Sequence, residues 1–233
     1  INILRRIDMD INSEIDELRK PVAQLLSLFA LFMVFFACLT FFNGLDYDKL
    51  PFYLKGITII ELIIIAISLL QFIRFIKFDN NDLVNKRKLK NYAKFLTIIN
   101  VVATYNAMFA FSNVFYFMAI QNNVDLYGYW LLYVVTMVIS FALWSLGSIL
   151  VWIELPRLQK YISGKTKSFI GLGLLLVSQF IYIEKIIEYI LVPDIAESKF
   201  AIAVSIIMLL GNFAVAIEWV RRYANFKIHV LKE

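Results

Sequence analysis

Three ionisable side chains, Glu184, Lys185 and Glu188, occur close together in an otherwise apolar stretch of the sequence. Glu184 and Glu188 are four residues apart and would share one face of a helix, while Lys185 precedes Glu188 by three residues and can pair with it. A fourth ionisable residue, Glu61, interrupts another apolar stretch. Ionisable groups inside apolar segments are candidates for binding a cation, a proton or a polar substrate.

The depth of these residues in a membrane follows from the length of the apolar run before Glu184. This run covers fifteen residues, 169–183, with two polar interruptions, and spans about 22 Å as a helix. Because a hydrocarbon core is about 30 Å thick, Glu184 and Lys185 are predicted to lie in its outer half. Glu61 is about five residues from the outer end of its own span and is predicted to lie at a comparable depth.

The sequence therefore predicts an intramembrane cluster of Glu61 and Lys185 with Glu184 or Glu188, formed between two helices. The functional interpretation is an outward-facing polar site. The structural alternative is a satisfied ion pair in which Glu188 extends to the lipid headgroups, because buried ion pairs are often purely structural and long side chains reach towards the interface.

Motifs of catalysis and of cofactor binding are absent from the sequence. The single histidine, His229, rules out haem ligation by two histidines, and the single cysteine, Cys38, rules out a disulfide within the chain. There is no HExxH motif and no glycine-rich phosphate loop. We therefore predict a protein that is not an enzyme and binds neither a metal nor a cofactor, although an acid–base pair of Glu184 with Glu61 stays open as an alternative.

The elements that must position these residues are long apolar segments. The chain has 233 residues, is 61% hydrophobic and has a mean hydropathy of +0.74, which is more than a soluble core of this size can enclose. Each apolar segment has about twenty residues or more, the length that a helix needs to cross a membrane. We predict an all-α polytopic membrane protein with six transmembrane helices in one bundle. The predicted spans are at about 22–42, 56–76, 95–120, 129–155, 168–192 and 200–220.

Residues 1–20 precede the first span and are too polar to cross a membrane. Apolar side chains recur in this segment at helical spacings of three or four residues, at Ile3, Ile7, Ile11, Ile15 and Leu18. This periodicity predicts an amphipathic helix on the cytoplasmic face of the membrane. The predicted organisation is therefore this helix over 1–20, a six-helix transmembrane domain over 21–220 and a cytoplasmic tail over 221–233.

Basic residues lie mainly on one side of the predicted spans. Nineteen of the 23 Lys and Arg residues fall in segments 5–20, 74–94, 157–167 and 221–232, whereas the opposite side has Lys49, Lys55 and Lys199. Because positive flanks stay inside, both ends of the chain are predicted to be cytoplasmic. The expected location is the plasma membrane of a bacterium or the inner membrane of an organelle.

The most basic segment lies between the second and third spans. It includes four candidates for contact with a cytoplasmic partner or with anionic lipid, namely Lys86, Arg87, Lys88 and Lys90. The overall positive charge is explained by orientation in the membrane, so no nucleic-acid partner is predicted.

Polar residues also recur on single faces of two spans. Asn106 and Asn113 share a face of the third span, and Ser205 and Asn212 lie on one stripe of the sixth. In lipid, such stripes are typical of helix–helix contacts, and lining a transport path is the alternative interpretation.

Two classes of function fit these patterns. The first is a membrane-embedded component of a transport system, such as a permease, channel or transporter subunit. In topology alone, six spans with both ends inside and a basic segment after the second span resemble the permease subunits of some ATP-driven exporters, which implies a cytoplasmic ATPase as partner. The second class is a non-catalytic structural or regulatory subunit of a larger membrane protein complex. In either case the partners are the lipid bilayer and other protein subunits.

Overall fold

The computed structural model describes residues 15–19, 22–71, 86–155, 158, 160–193, 195 and 198–231. This part of the chain is helical and contains no strand. Several predicted features lie outside the described residues: positions 1–14 of the N-terminal helix, positions 72–85 of the basic segment, Arg157, and the last two residues of the tail.

Within the described residues, six helices are long and apolar enough to cross a membrane. They are α1 (Val22–Phe42), α2 (Phe52–Leu70), α3 (Lys86–Gln121), α4 (Tyr127–Trp152), α5 (Gly164–Leu191) and α6 (Ser198–Phe226). A short 3-10 helix at Tyr47–Lys49 precedes α2, and a π-helical segment at Lys227–Leu231 continues α6. For the described residues, the prediction of an all-helical protein with six helices long and apolar enough to cross a membrane is confirmed.

Helix α3 begins nine residues before the predicted third span, at Lys86 rather than at residue 95. The described part of the basic segment is therefore continuous with the membrane-length helix. Leu89, Ala93 and Leu96 recur at helical spacing through this extension and are each no more than 1% exposed. Their burial explains why the helix continues past the apolar segment that the hydropathy pattern marks.

Helix α3 is the most enclosed of the six. In its most apolar stretch 72% of the residues are buried, against 22–33% in the other five helices. It contacts α1, α2 and α6 along its length. Polar side chains on α3 are therefore placed to meet partners from several helices at once.

Helices α4 and α5 approach each other closely at two glycines. A Cβ atom added at Gly147 would lie 2.8 Å from the backbone oxygen of Gly171, and one added at Gly171 would lie 2.9 Å from that of Gly147. Side chains larger than a hydrogen atom would separate the two backbones, which is why small residues mark tight crossings of membrane helices.

The loop end of the molecule, defined by the connections 43–51 and 122–126, lies opposite the basic end, defined by Arg19, Tyr92 and Arg222. At the basic end, residues 15–19 pack against α3 and α6. Ile15 and Leu18 are at most 2% exposed and belong to a cluster with side chains of both helices. The Arg19 guanidinium donates to the Tyr92 hydroxyl at 2.9 Å. In the described part of the predicted amphipathic helix, the apolar residues therefore contact protein.

Candidate intramembrane polar site

Helix α5 changes its hydrogen-bonding pattern just before the ionisable residues. A 3-10 turn covers Ser178–Phe180, where the apolar run of the sequence is interrupted. The Ser140 hydroxyl of α4 donates to the backbone oxygen of Ser178 at 2.6 Å, and the Ser178 hydroxyl donates to the backbone oxygen of Leu175 at 2.6 Å. Both hydroxyls are thus bonded to backbone oxygens at or next to the altered turn.

Asn113 and Tyr116 lie one turn apart on α3 and connect ionisable residues of two other helices. The Asn113 amide donates to Glu61 Oε1 of α2 at 2.6 Å. The Tyr116 hydroxyl donates to Glu188 Oε1 of α5 at 2.5 Å. Glu61 and Glu188 are thus held by neighbouring positions of the central helix, although they are 127 positions apart in the sequence.

Trp130 and Tyr133 form a second pair one turn apart, on α4. The Trp130 ring nitrogen donates to Asn113 Oδ1 at 3.2 Å, so that the Asn113 amide has a partner on each side. The Lys185 ammonium lies 3.5 Å from the centroid of the Tyr133 ring, where the ring face attracts a cation.

Lys185 and Glu188 form an enclosed ion pair. Lys185 Nζ lies 2.5 Å from Glu188 Oε2, and both residues are 1% exposed. Each oxygen of Glu188 therefore has a partner, one from Lys185 and the other from Tyr116. Pairing offsets the large cost of moving two charges out of water, and the remaining lone pairs are partly satisfied by the hydroxyl.

Glu184 differs from Glu188 in having no partner. It is 4% exposed, and neither carboxyl oxygen has a hydrogen-bond partner among the residues that the structure describes. The Tyr133 hydroxyl lies within electrostatic range of Glu184, Glu188 and Glu61, and it is close to the Ser112 hydroxyl. An ionised carboxylate in this position would lack compensation for its lost hydration.

Glu61 does not form an ion pair with Lys185. It is 2% exposed, its carboxyl group accepts from Asn113, and its backbone oxygen accepts from Asn106 Nδ2 at 3.4 Å. The predicted ionisable residues therefore form two groups, Glu61 with the asparagines and residues 184–188 on α5. Helix α3 connects these groups, whereas the sequence pattern predicted direct contact between two helices.

A small cavity lies beside the ion pair. Its volume is about 10 Å³, close to the smallest that holds one water molecule. Lys185, Glu188, Ser112 and Ser205 line it. The Ser112 hydroxyl lies close to that of Tyr133, while the Ser205 hydroxyl donates to the backbone oxygen of Ile202 at 2.7 Å. A water molecule here would find two hydroxyls and both members of the ion pair.

The residues of the two predicted polar stripes, on the third and sixth spans, have different positions relative to Glu61 and the cavity. Asn106 and Asn113 contact Glu61, and Ser205 lines the cavity. Asn212 is 9% exposed and its side-chain nitrogen has no partner. It is not among the residues that line the cavity.

No aromatic residue was predicted from the sequence to be part of the polar site. Tyr116, Trp130 and Tyr133 are at most 8% exposed and hold the polar groups. Their spacing offered one signal. Trp130 and Tyr133 are three residues apart, as are Asn113 and Tyr116, and such pairs share a helix face.

The candidate basic contact residues lie at the start of α3, away from the polar site. Arg87 and Lys88 are exposed there, and Lys90 is half-buried. The side chain of Lys86 lies outside the described residues. Among the residues that the structure describes, no group of three or more His, Cys, Asp or Glu side chains is placed to hold a metal ion.

In the described part of the chain, six helices long and apolar enough to cross a membrane, with ionisable side chains buried among them, indicate an α-helical integral membrane protein. Residues 12–232 match the model of a family described as a domain of unknown function, DUF5079, and the chain belongs to that family. Comparisons with curated proteins and with solved structures find no match.

Proposed function

We propose that this protein is a membrane-embedded component of a transport system, a permease, channel or transporter subunit. Its polar site, Glu61, Glu184, Lys185 and Glu188, would bind a small cation or a polar solute during passage. The observation that carries the proposal is that these four side chains are only 1–4% exposed inside membrane-length helices. An ionisable residue at such depth costs roughly 2.5–3.5 kcal/mol on insertion scales, so its presence favours a role in moving ions or solutes.

The proposed orientation places the basic end in the cytoplasm and the loop end outside, with both chain ends inside. It rests on the concentration of Lys and Arg at the basic end. Asn113 is eight residues from the loop end of α3, and Glu188 is three residues from the end of α5. This orientation would put the polar site in the outer half of the membrane, in a bacterial plasma membrane or an organellar inner membrane.

A group of aromatic rings would close the site on its outer side. The ring centroids of Tyr53 and Trp130 are 4.4 Å apart, and those of Tyr53 and Tyr127 are 5.0 Å apart. The Tyr53 hydroxyl also lies 3.4 Å from Asp125. Because Trp130 also donates to Asn113, movement of this one ring would couple opening of the outer side to rearrangement of the polar groups.

Flux measurements on proteoliposomes test the proposal. The purified chain would be reconstituted, and H⁺, Na⁺ and K⁺ gradients would be applied in turn. We expect flux of at least one ion, and a loss of at least about tenfold in Glu61→Gln with an unchanged yield of monodisperse protein, because a passing cation would bind a carboxylate more strongly than the neutral amide of glutamine. Glu154→Gln is the matched control, since Glu154 is exposed and away from the site. Equal flux in wild type and Glu61→Gln would overturn the proposal.

The second candidate function is a non-catalytic structural or regulatory subunit of a larger membrane complex. Each oxygen of Glu188 has a partner, and Lys185 is held by Glu188 and the Tyr133 ring, an arrangement that is typical of a structural ion pair. Under this alternative, Glu188→Gln would lower the folded yield, and gentle solubilisation would recover the chain in an assembly without flux. Co-purification with a cytoplasmic ATPase would instead favour the transport role.

A further inference from the structure

We propose that the Glu184 carboxyl group carries an exchangeable proton, so that H⁺ is the ion bound at the polar site. This inference rests on the transport role proposed above and assigns its ion. The observation behind it is the contrast between two glutamates on one face of α5. Glu188 has a partner on each oxygen, whereas Glu184 has none and is 4% exposed.

The nearest cation is already engaged elsewhere. Lys185 Nζ lies 2.5 Å from Glu188 Oε2 and 3.5 Å from the centroid of the Tyr133 ring. It therefore approaches Glu188 and the aromatic ring, and no ion pair forms with the adjacent Glu184. Without a cationic partner or a hydrogen-bond donor, an enclosed carboxyl group takes the neutral protonated form.

The groups that face Glu184 are few and identifiable. Lys185 and Glu188 lie on its own helix, Tyr133 faces it from α4, and Tyr116 from α3. Glu61 of α2 lies within electrostatic range of the Tyr133 hydroxyl. Residues 200–217 of α6, the third helix packed against α5, contain no ionisable side chain.

The charge count of this group favours one proton over a metal cation. With all three groups ionised, Glu184, Lys185 and Glu188 have a net charge of −1, and one proton bound to Glu184 makes the group neutral. A metal cation would lie beside Lys185, which repels it. It would also need several oxygen ligands, whereas the unpartnered carboxyl oxygens of this group, in the described part of the chain, are the two of Glu184.

Release of the proton from Glu184 requires only a water molecule as acceptor. The O–H bond of the Glu184 carboxyl group breaks, its electron pair stays on the carboxylate, and the proton passes to a water molecule. The carboxylate left behind can pair with Lys185 if its ammonium turns from Glu188, which keeps its hydrogen bond from Tyr116. The group thereby alternates between two arrangements of the same lysine, one for each protonation state of Glu184.

Infrared spectroscopy of the reconstituted protein tests the proposal directly. A buried protonated carboxyl group has a carbonyl band separate from those of carboxylates, and the band shifts in D₂O if the proton exchanges. In a Glu61→Gln background, we expect one such band, complete loss of it on adding Glu184→Gln, and retention on adding Glu154→Gln. Absence of the band in the background, or its survival in Glu61→Gln/Glu184→Gln, would overturn the proposal.

The conservative variant Glu184→Asp covers the case in which the double variant does not fold. The shorter acid keeps a carboxyl group in a changed environment, so the band should move to a new frequency. An unmoved band would assign the proton to another residue and overturn the inference.

Measurements of proton flux distinguish the proposed proton site from the proposed transport role. In proteoliposomes containing a pH-sensitive dye, with a membrane potential set by K⁺ and valinomycin, we expect Glu184→Gln to slow proton entry at least about tenfold. The infrared band without any ion flux would uphold the proton site and reject transport. Flux of Na⁺ or K⁺ without the band would uphold transport and reject the proton site.

Discussion

The three glutamates of the polar site have different surroundings, and their chemistry should differ accordingly. Glu188 accepts from Lys185 and Tyr116, Glu61 accepts from the neutral amide of Asn113, and Glu184 has no partner. Removing a partner from an enclosed group leaves its desolvation uncompensated, so substitutions here should act on stability as well as on function. The stability and the flux of each variant must therefore be measured separately.

Replacing Lys185 alone should lower the free energy of unfolding more than replacing both members of the ion pair. Lys185→Met leaves Glu188 enclosed and unpaired, which should cost about 3–5 kcal/mol of unfolding free energy, while Lys185→Met/Glu188→Gln should recover most of this loss. The measurement is SDS-induced unfolding in mixed micelles, followed by circular dichroism. A double variant that is less stable than Lys185→Met would contradict the prediction.

Asn113 should be energetically coupled to Glu61, because its amide donates to that carboxyl group and accepts from Trp130. A double-mutant cycle of Asn113→Ala and Glu61→Gln should give an interaction energy of about 0.5–3 kcal/mol in the same unfolding assay. A cycle of Asn122→Ala with Glu61→Gln is the control, because Asn122 is exposed at the loop end. A coupling energy near zero for Asn113 would show that the hydrogen bond has no energetic role.

At the scale of elements, α3 and the crossing of α4 with α5 set the geometry of the site. From α3, Asn113 contacts Glu61 and Tyr116 contacts Glu188. From α4, Trp130 contacts Asn113 and the Tyr133 ring contacts Lys185. The close approach of α4 and α5 depends on glycine at two positions, where each backbone lies against the other. The relative position of Tyr133 and Lys185 should therefore depend on a crossing that lies 14 residues away along each of the two helices.

A bulky residue at this crossing should destabilise the protein far more than the same residue at a neighbouring position of the helix. Gly171→Leu places a side chain where a Cβ alone would meet the Gly147 oxygen at 2.9 Å, so the helices must separate. We expect a loss of at least about 1–3 kcal/mol, as for other overpacked sites, or a loss of folded yield. Gly173→Leu is the control, since a Cβ there meets nothing within 4 Å. Equal stability of the two variants would show that the crossing tolerates separation.

At the scale of the whole molecule, the charged ends decide how the chain threads through a membrane. In a Cys38→Ala background, Asn122→Cys should react with a membrane-impermeant maleimide on intact cells, and Lys88→Cys should react only after the membrane is opened. Both positions are exposed, at the loop end and the basic end respectively. The reverse labelling pattern would invert the proposed orientation and would place the polar site in the inner half of the membrane.

The sequence by itself determined the helical class, the six membrane-length segments and the enclosure of the ionisable residues, because helix length, hydropathy and charge spacing are local properties of the chain. It also paired Lys185 with Glu188, which are neighbours on one helix turn. Only the tertiary structure decided that Glu61 meets Asn113, that Tyr116 and Tyr133 hold the α5 residues, and that Glu184 is left without a partner. The physical reason is that periodicity tells which residues share a helix face, whereas the helix opposite that face is decided by packing over the whole chain.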